Sequence, residues 1–414
     1  MPEAARSVPI PRLSPADPAP AAPVPEAAAE VARPAAGLFA IGLAGVCAFL
    51  GFYATQPLLP LLERVFAVSK AGAALTVSAP TIAVALASPF AGWAIRRWGH
   101  RSVIVGSMLF LPIPTLLAAA SPSVPVLVGW RFVQGLALPG IYAVGVAFLA
   151  EEWPPAALGS AMSALVTGSV IGGYTGRLLS GLVAARWGWR AAFVVLGLVT
   201  AAAAVAAARL LPRARRPRPA GPAPRARPGD LLRAPRLLAT FAVGFNVLFT
   251  QVAVFTYVTF HLASPPYRLG TAALSSIFTV YLIGAAVTPF AGRWIDRVGS
   301  RRAVTLALTV AAAGALVTLA PSVTLVVAGL TAVCTAVFVS QSASTAFLRT
   351  AAPPRLRPSA SGLYVSSYYL GGAAGGVAPA LAWHAGGWGA CVAMVVAVQL
   401  GTVALAHRAW RPAA

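Results

Sequence analysis

Apolar residues run through this chain in long, nearly unbroken blocks. They show neither the period-two alternation of half-buried strands nor the one-sided stripe of a surface helix. The blocks fall near 37–60, 72–94, 102–120, 124–149, 158–184, 189–210, 237–261, 271–294, 302–320, 323–347, 359–383 and 388–407. Crossing the hydrocarbon core of a bilayer takes about 20 mostly apolar residues. The pattern therefore predicts an all-α integral membrane protein with twelve transmembrane helices, spans 1 to 12. Pro57, Pro80, Pro89, Pro139, Pro289 and Pro379 interrupt several spans and predict local bends, tolerated where neighbouring helices satisfy the freed backbone groups.

Two stretches break the pattern. Residues 1–36 hold nine prolines and no apolar run, and read as a disordered tail; residues 211–236 hold seven prolines and most of the central arginine cluster, and read as a solvated basic linker. The expected organisation is thus a tail (1–36), a six-helix half (37–210), a linker (211–236), a second six-helix half (237–408) and a short tail (409–414).

Composition narrows the class. The chain of 414 residues is 58% apolar and 10% charged, too little charge for a soluble surface, since soluble domains carry about 25% charged residues. The three cysteines lie inside apolar runs and read as small core residues. A net charge of +22 would suggest nucleic acid in a soluble protein. Here the basic residues gather in the short loops between apolar runs. With the N-terminus in the cytoplasm, 24 of the 31 Lys and Arg fall on the cytoplasmic side; Arg64, Lys70, Arg186, Arg190 and Arg268 fall outside; Arg131 and Arg177 lie within spans. That asymmetry encodes membrane orientation. It predicts a multi-pass protein of the cell inner (plasma) membrane with both termini cytoplasmic, in contact with lipid and not with nucleic acid.

The halves repeat. Pro89–Arg101 matches Pro289–Arg301 at an offset of 200 with eight of thirteen positions identical, and Gly172, Gly173 and Gly176 match Gly371, Gly372 and Gly375 at an offset of 199. Two six-helix units in parallel orientation are a transporter architecture, with the site at the repeat interface.

The loop after span 2, with Gly92, Arg97, Gly99 and Arg101, and its echo after span 8, with Gly292, Asp296, Arg297, Gly299 and Arg301, resemble the signature loop of the major facilitator superfamily. The resemblance covers residues 37–408 and implies the superfamily fold, secondary transport rather than enzymatic catalysis, and no cofactor or catalytic residue. In it these loops act as a conformational latch. The glycines would let helix ends approach closely, and the arginines would bind headgroups, carboxylates or helix C-termini; plain anchoring by positive charge is the simpler reading. Arg96 stands where the family usually has Asp, while Asp296 is kept.

Arg131 and Gly135 on span 4 resemble the superfamily's Arg-x-x-x-Gly motif, linked in the family to proton coupling. A charge within a span either meets an interior partner or snorkels to the surface. Span 5 carries Gly168, Gly172, Gly173, Gly176 and Arg177. It resembles the glycine-rich motif of exporters that exchange a substrate for protons, with Gly172-Gly173 where the family usually has Gly-Pro. In the family spans 5 and 11 meet the other half, so the two glycine strips are expected to form a sliding seal, with static packing as the alternative. Arg177 lines the outer mouth or snorkels.

No acidic residue lies deep within a span, so the usual membrane-buried proton carrier is missing. Polar and aromatic residues within spans are the candidate cavity: Tyr53, Gln56, Gln134, Tyr142, Asn246, Gln251, Tyr257, Tyr281, Gln341, Tyr364, Tyr368 and the adjacent Tyr369. As a neutral, aromatic group they suit an uncharged or weakly cationic solute better than an anion. The four histidines have no metal-ligand spacing and no nucleotide-binding Gly-x-x-x-x-Gly-Lys loop exists. The sequence thus points to a monomeric secondary transporter of small organic molecules, exchanging substrate for protons on export, or importing by proton symport. A membrane receptor or enzyme fits less well. The topology is testable: after the native cysteines are replaced, Ala220→Cys should react with thiol reagents only from the cytoplasmic side. Labelling from outside would overturn it.

Overall fold

The computed structural model describes residues 34–212, 231, 233–353 and 356–410, and all regular structure among these is helical. The expected tail before residue 34, most of the 211–236 linker and the last four residues lie outside the described residues. Among the described residues, nine helical stretches are long and apolar enough to cross a membrane, and Ala35–Leu50 is a shorter apolar helix.

Two of the nine, Pro155–Leu210 and Ser359–Ala409, are 56 and 51 residues long. At about 1.5 Å per residue each is more than twice the thickness of a bilayer core, so each must fold back. The first leaves helical geometry at Gly188 (φ 84°) and the second at Gly386 and Gly387 (φ 61° at Gly387). These are the expected junctions between spans 5 and 6 and between spans 11 and 12. Gly37 lies against both Trp153 and Pro212, so the chain that follows span 4 and the end of span 6 return to one place.

Other spans are broken too, spans 1 and 2 at Pro57 and Pro89, two of the prolines marked in the sequence. Span 1 is helical over Pro34–Leu50, turns over residues 51–55, passes through a 3-10 turn at Gln56–Leu58 and ends in Leu59–Phe66. Pro57 cannot donate to the carbonyl four residues back, which prevents a continuous helix there. Span 2 starts at Lys70, capped by the Ser69 hydroxyl accepting from the Gly72 N–H, and gives way at Ala87 to a 3-10 turn containing Pro89 before Ala91–Trp98. Span 8 is split into Thr271–Ile277 and Val280–Val298.

The duplication is structural as well as sequential. Gly99 and Gly299 adopt nearly the same left-handed conformation, φ 78° and ψ 159° against φ 82° and ψ 146°. Each donates its N–H to the carbonyl of the residue four back, Ile95 or Ile295. A side chain at either would be strained. Along span 5, a Cβ on Gly168, Gly172 or Gly176 would collide with the backbone of Gly42, Val46 or Leu50. Along span 11, one on Gly371 or Gly375 would collide with Phe245 or Phe249. Both strips therefore step in register, four residues at a time, down the first span of their own half.

This corrects the expectation of a sliding seal. The strips fasten spans 5 to 1 and 11 to 7 within each half. Gly173 faces Phe49 and the Arg177 side chain, and Gly372 faces Leu248, with Thr81 of the other half at 3.4 Å.

The halves meet through other residues. Gly181 packs on Ser275 and Gly376 on Ser78, whose hydroxyl donates to the Ala373 carbonyl at 3.0 Å. Gln56 donates to the Thr256 hydroxyl at 3.3 Å. Lys70, paired with Glu63 at 2.7 Å, lies over the rings of Phe260 and Trp383. These contacts gather at the end of the bundle that carries the loops after spans 1 and 7. At the opposite end Phe90, Trp93 and Phe290 are exposed.

Fastening at the strips predicts a sharp contrast. Gly176→Ala or Gly371→Ala should cost about 1–3 kcal/mol by overpacking and visibly lower the melting temperature in detergent. Gly92→Ala, where the nearest neighbour is the Arg96 side chain at 3.5 Å, should leave it unchanged or raise it slightly. Equal effects at the three positions would contradict the assignment.

Candidate functional site

Span 4 brings a full positive charge into the core. Arg131 is 0% exposed, so it does not snorkel. Its Nε donates to the Thr76 carbonyl at 3.0 Å and its Nη1 to the Gly51 carbonyl at 2.7 Å; it also bonds the Phe52 carbonyl and the Gln134 side chain. Gln134 in turn donates to the Thr115 hydroxyl at 2.7 Å. These carbonyls are available because helices fail beside them. Gly51 and Phe52 lie where span 1 unwinds. Thr76 lies four residues before Pro80, which has no N–H to give it.

Gly135 makes the geometry reachable. Its Cα carries no side chain where Pro80 and Ala83 approach a Cβ position at 2.7 Å. Spans 2 and 4 therefore run side by side with Gly135 against Pro80 and, one turn away, Arg131 against Thr76. The four-residue spacing of the Arg and the Gly matches that of the Thr and the Pro.

Arg177 is the second interior charge, 2% exposed. Its Nε donates to the Gln56 side chain and its Nη1 to the Gly173 carbonyl, both at 2.7 Å. The guanidinium carbon lies 4.6 Å from the ring centre of Tyr53, 4.5 Å from Tyr281 and 5.2 Å from Phe278. Tyr53 and Gln56 belong to the first half, Phe278 and Tyr281 to the second, so the group spans the junction. Among the described residues no carboxylate pairs with Arg131 or Arg177; Lys70 pairs with Glu63, and His100 lies 3.5 Å from Glu151.

Aromatic rings continue from this group between the halves. Tyr142 packs edge-on to Phe49, Phe49 to Phe52, Phe52 across the junction to Tyr369, and Tyr369 on through Tyr368 to Tyr364. Tyr364 shares a 2.7 Å hydrogen bond with Ser344. Gln251 stands near the Tyr281 hydroxyl without a hydrogen bond to it.

Other expected cavity residues are elsewhere. Asn246 closes a buried triad with Gln399 and Thr250 at 2.8–3.1 Å, which ties span 7 to span 12. Tyr257 is fully buried and donates to the Gly376 carbonyl at 3.0 Å. Gln134 serves Arg131. Gln341 is partly buried on span 10, and no hydrogen bond joins its side chain to the Arg177 group. The sequence reading overlooked Phe278, Thr256 and Thr76; the last was legible as the residue four before a mid-span proline.

The loops expected to act as a latch behave in two ways. Arg101 donates to the Ala208 and Leu211 carbonyls at 2.9 and 3.2 Å, and Arg301 to the His407 carbonyl at 2.9 Å. Each arginine thus caps the C-terminal end of the last span of its own half, where the helix dipole is negative. Arg97, Asp296 and Arg297 are exposed, and no ion pair joins them to another described residue. Gly92 and Gly292 have no backbone close by, so the expected close approach of helix ends does not occur there. Gly99 and Gly299 are needed for their backbone conformation.

Comparison with known proteins agrees with this architecture. The sequence model of the Major Facilitator Superfamily matches residues 41–376 and 263–413. An uncharacterised MFS-type transporter of Bacillus subtilis, YybF, is 31% identical over 369 residues, covering 87% of this chain and 90% of its own length. A multidrug resistance protein B homolog of Mycobacterium tuberculosis is 35% identical over 181 residues, 44% of this chain and 33% of its own. The fold is that of a bacterial homolog of the human lysosomal transporter Spinster, solved in an inward-facing, occupied conformation: TM-score 0.72 at 18% identity, over 90% of this chain and 96% of the other.

Removing Arg131 leaves the Phe52 carbonyl without a donor, and leaves the Gly51 and Thr76 carbonyls with only long bonds from the Ala54 N–H (3.3 Å) and the Thr55 hydroxyl (3.5 Å), at about 1–3 kcal/mol for each buried group left unsatisfied. Arg131→Ala should therefore lower the melting temperature in detergent markedly. Arg131→Lys should recover only part, because an ammonium cannot reach the same spread of acceptors as a planar guanidinium. An unchanged melting temperature in Arg131→Ala would show that the carbonyls are satisfied without it.

Proposed function

This chain belongs to the major facilitator superfamily of membrane transporters, and from that premise we propose that it exports a small organic solute from the cell in exchange for protons. The observation that carries the reading is the contrast between contacts within and between the halves. Within a half, glycines seat backbone on backbone. Between halves, the joins are made by side chains: serines seated on glycines, hydrogen bonds from Ser78 and Gln56, and rings packed on cations and on one another. Two rigid bodies with side-chain joins at one end suit a rocking motion about a central site.

The loop charges support a twelve-span chain with both termini in the cytoplasm, in the inner membrane of a bacterial cell. The joined end is then the outer one, and the structure is in the state that loads solute from the cytoplasm. The glycine-rich span 5 and the likeness to a multidrug resistance homolog favour export. Both six-helix halves lie within one chain, which favours a monomeric working unit. Arg131, on a span that moves with the first half, is the proposed coupling residue, with Gly135 as the packing position that holds it.

Flux of labelled solutes in inverted vesicles, with and without a proton gradient, tests direction and coupling. Gradient-dependent uptake into the vesicles is expected; release from them would favour import. The rocking motion has its own test at Gly181, whose neighbour Ser275 belongs to the other half. Gly181→Leu should prop the outer end open and increase outside labelling of a cysteine placed at Thr256, in a background lacking the native cysteines. Unchanged labelling would mean that the two surfaces do not part.

A further inference from the structure

Arg177 is charged, buried and short of partners. A guanidinium has five N–H donors. Two of its three nitrogens, Nε and Nη1, donate to neutral acceptors, and no protein acceptor is bonded to Nη2. Facing it across the junction, the Tyr281 hydroxyl is enclosed, in a side chain only 5% exposed, and has no hydrogen-bond partner. An unsatisfied buried hydroxyl costs about as much as a lost hydrogen bond, and an uncompensated buried charge costs more. Both deficits occur in one place, where the halves meet, and no acidic side chain is there to answer them.

We propose that Arg177 and Tyr281, with Tyr53 as one wall, bind the carboxylate of the transported solute, an organic anion with an aromatic or apolar body. This rests on the transporter reading and replaces the sequence expectation of an uncharged or weakly cationic solute. The donors left over, three guanidinium N–H groups and the Tyr281 hydroxyl, are enough for the lone pairs of one carboxylate. Tyr53 and Phe278 stack on the guanidinium and leave its edge for hydrogen bonding. The rings that follow, Phe52, Tyr369 and Tyr368, offer apolar surface to the rest of the solute. Arg177 belongs to one half and Tyr281 to the other, so bridging both donors ties occupancy to the closed junction. A membrane potential that is negative inside adds to the outward driving force on such an anion.

The test uses the purified full chain in detergent, with benzoate and 4-hydroxybenzoate as probes and benzamide and benzylamine as controls. The carboxylates should raise the melting temperature of the wild type, and the controls should not. Apparent affinity should fall about tenfold or more in Arg177→Gln, by loss of a charge-assisted hydrogen bond, and less in Arg177→Lys. Should Arg177→Gln fail to fold, Tyr281→Phe, which removes only the unpartnered hydroxyl, should weaken carboxylate binding in the same direction. No response to either carboxylate, an equal response to the controls, or full carboxylate binding in the folded variants would overturn the proposal. Proteoliposomes separate this from the transporter reading. Flux of neutral or cationic solutes that persists in Arg177→Gln and ignores an imposed potential would remove the anion site and leave the transporter standing. Absence of any flux would remove the transporter, while binding in detergent still decides the site.

Discussion

A guanidinium enclosed in an apolar bundle has to be solvated by the protein, and here the backbone does it. Carbonyls inside a regular helix already carry one bond, so the strongest acceptors are those that lack it. Arg131 is tolerable only because span 1 unwinds at Gly51 and Phe52 and Pro80 leaves the Thr76 carbonyl free. The prolines and glycines that look like damage to the transmembrane pattern are what make the charge affordable. Removing any one of these breaks would return a carbonyl to its helix and take a donor's partner from Arg131. The first half is thus organised around one cation and the interruptions that face it.

The same economy of glycine appears at two levels. In the strips of spans 5 and 11, missing side chains let one backbone rest on another over two turns, and the helices so joined behave as one body. At Gly181 and Gly376, a missing side chain receives a serine from the opposite half. The first arrangement buries an extended, form-fitted surface. The second consists of two small contacts, each a serine side chain seated on a glycine. Arg101 and Arg301 complete each rigid half by tying the loop after its second span to the end of its last. Arg177 differs from all of these. It is held by its own half through Gly173 and Gln56, yet its charge rests on rings that belong to the other.

Much of this was written in the sequence. The apolar blocks identify membrane-crossing helices, because no other regular element can hide its backbone in lipid over that length. The duplication is legible because Pro89–Arg101 and Pro289–Arg301 carry the same turn, whose glycine must take a positive φ in each copy. That Arg131 and Arg177 fall within spans could be read from the apolar runs, but whether they turn inward or snorkel could not; their burial decides it. What the sequence could not assign was partnership. The i, i+4 spacing of glycines says that a neighbour comes close, but an i, i+4 strip fits any smooth helix, and only the packed bundle selects span 1 for span 5 and span 7 for span 11. The missing carboxylates likewise show that the buried arginines need other acceptors. Which carbonyls answer Arg131, and that none fully answers Arg177, depends on where separate spans break and meet, and those are distances through space that no local pattern encodes.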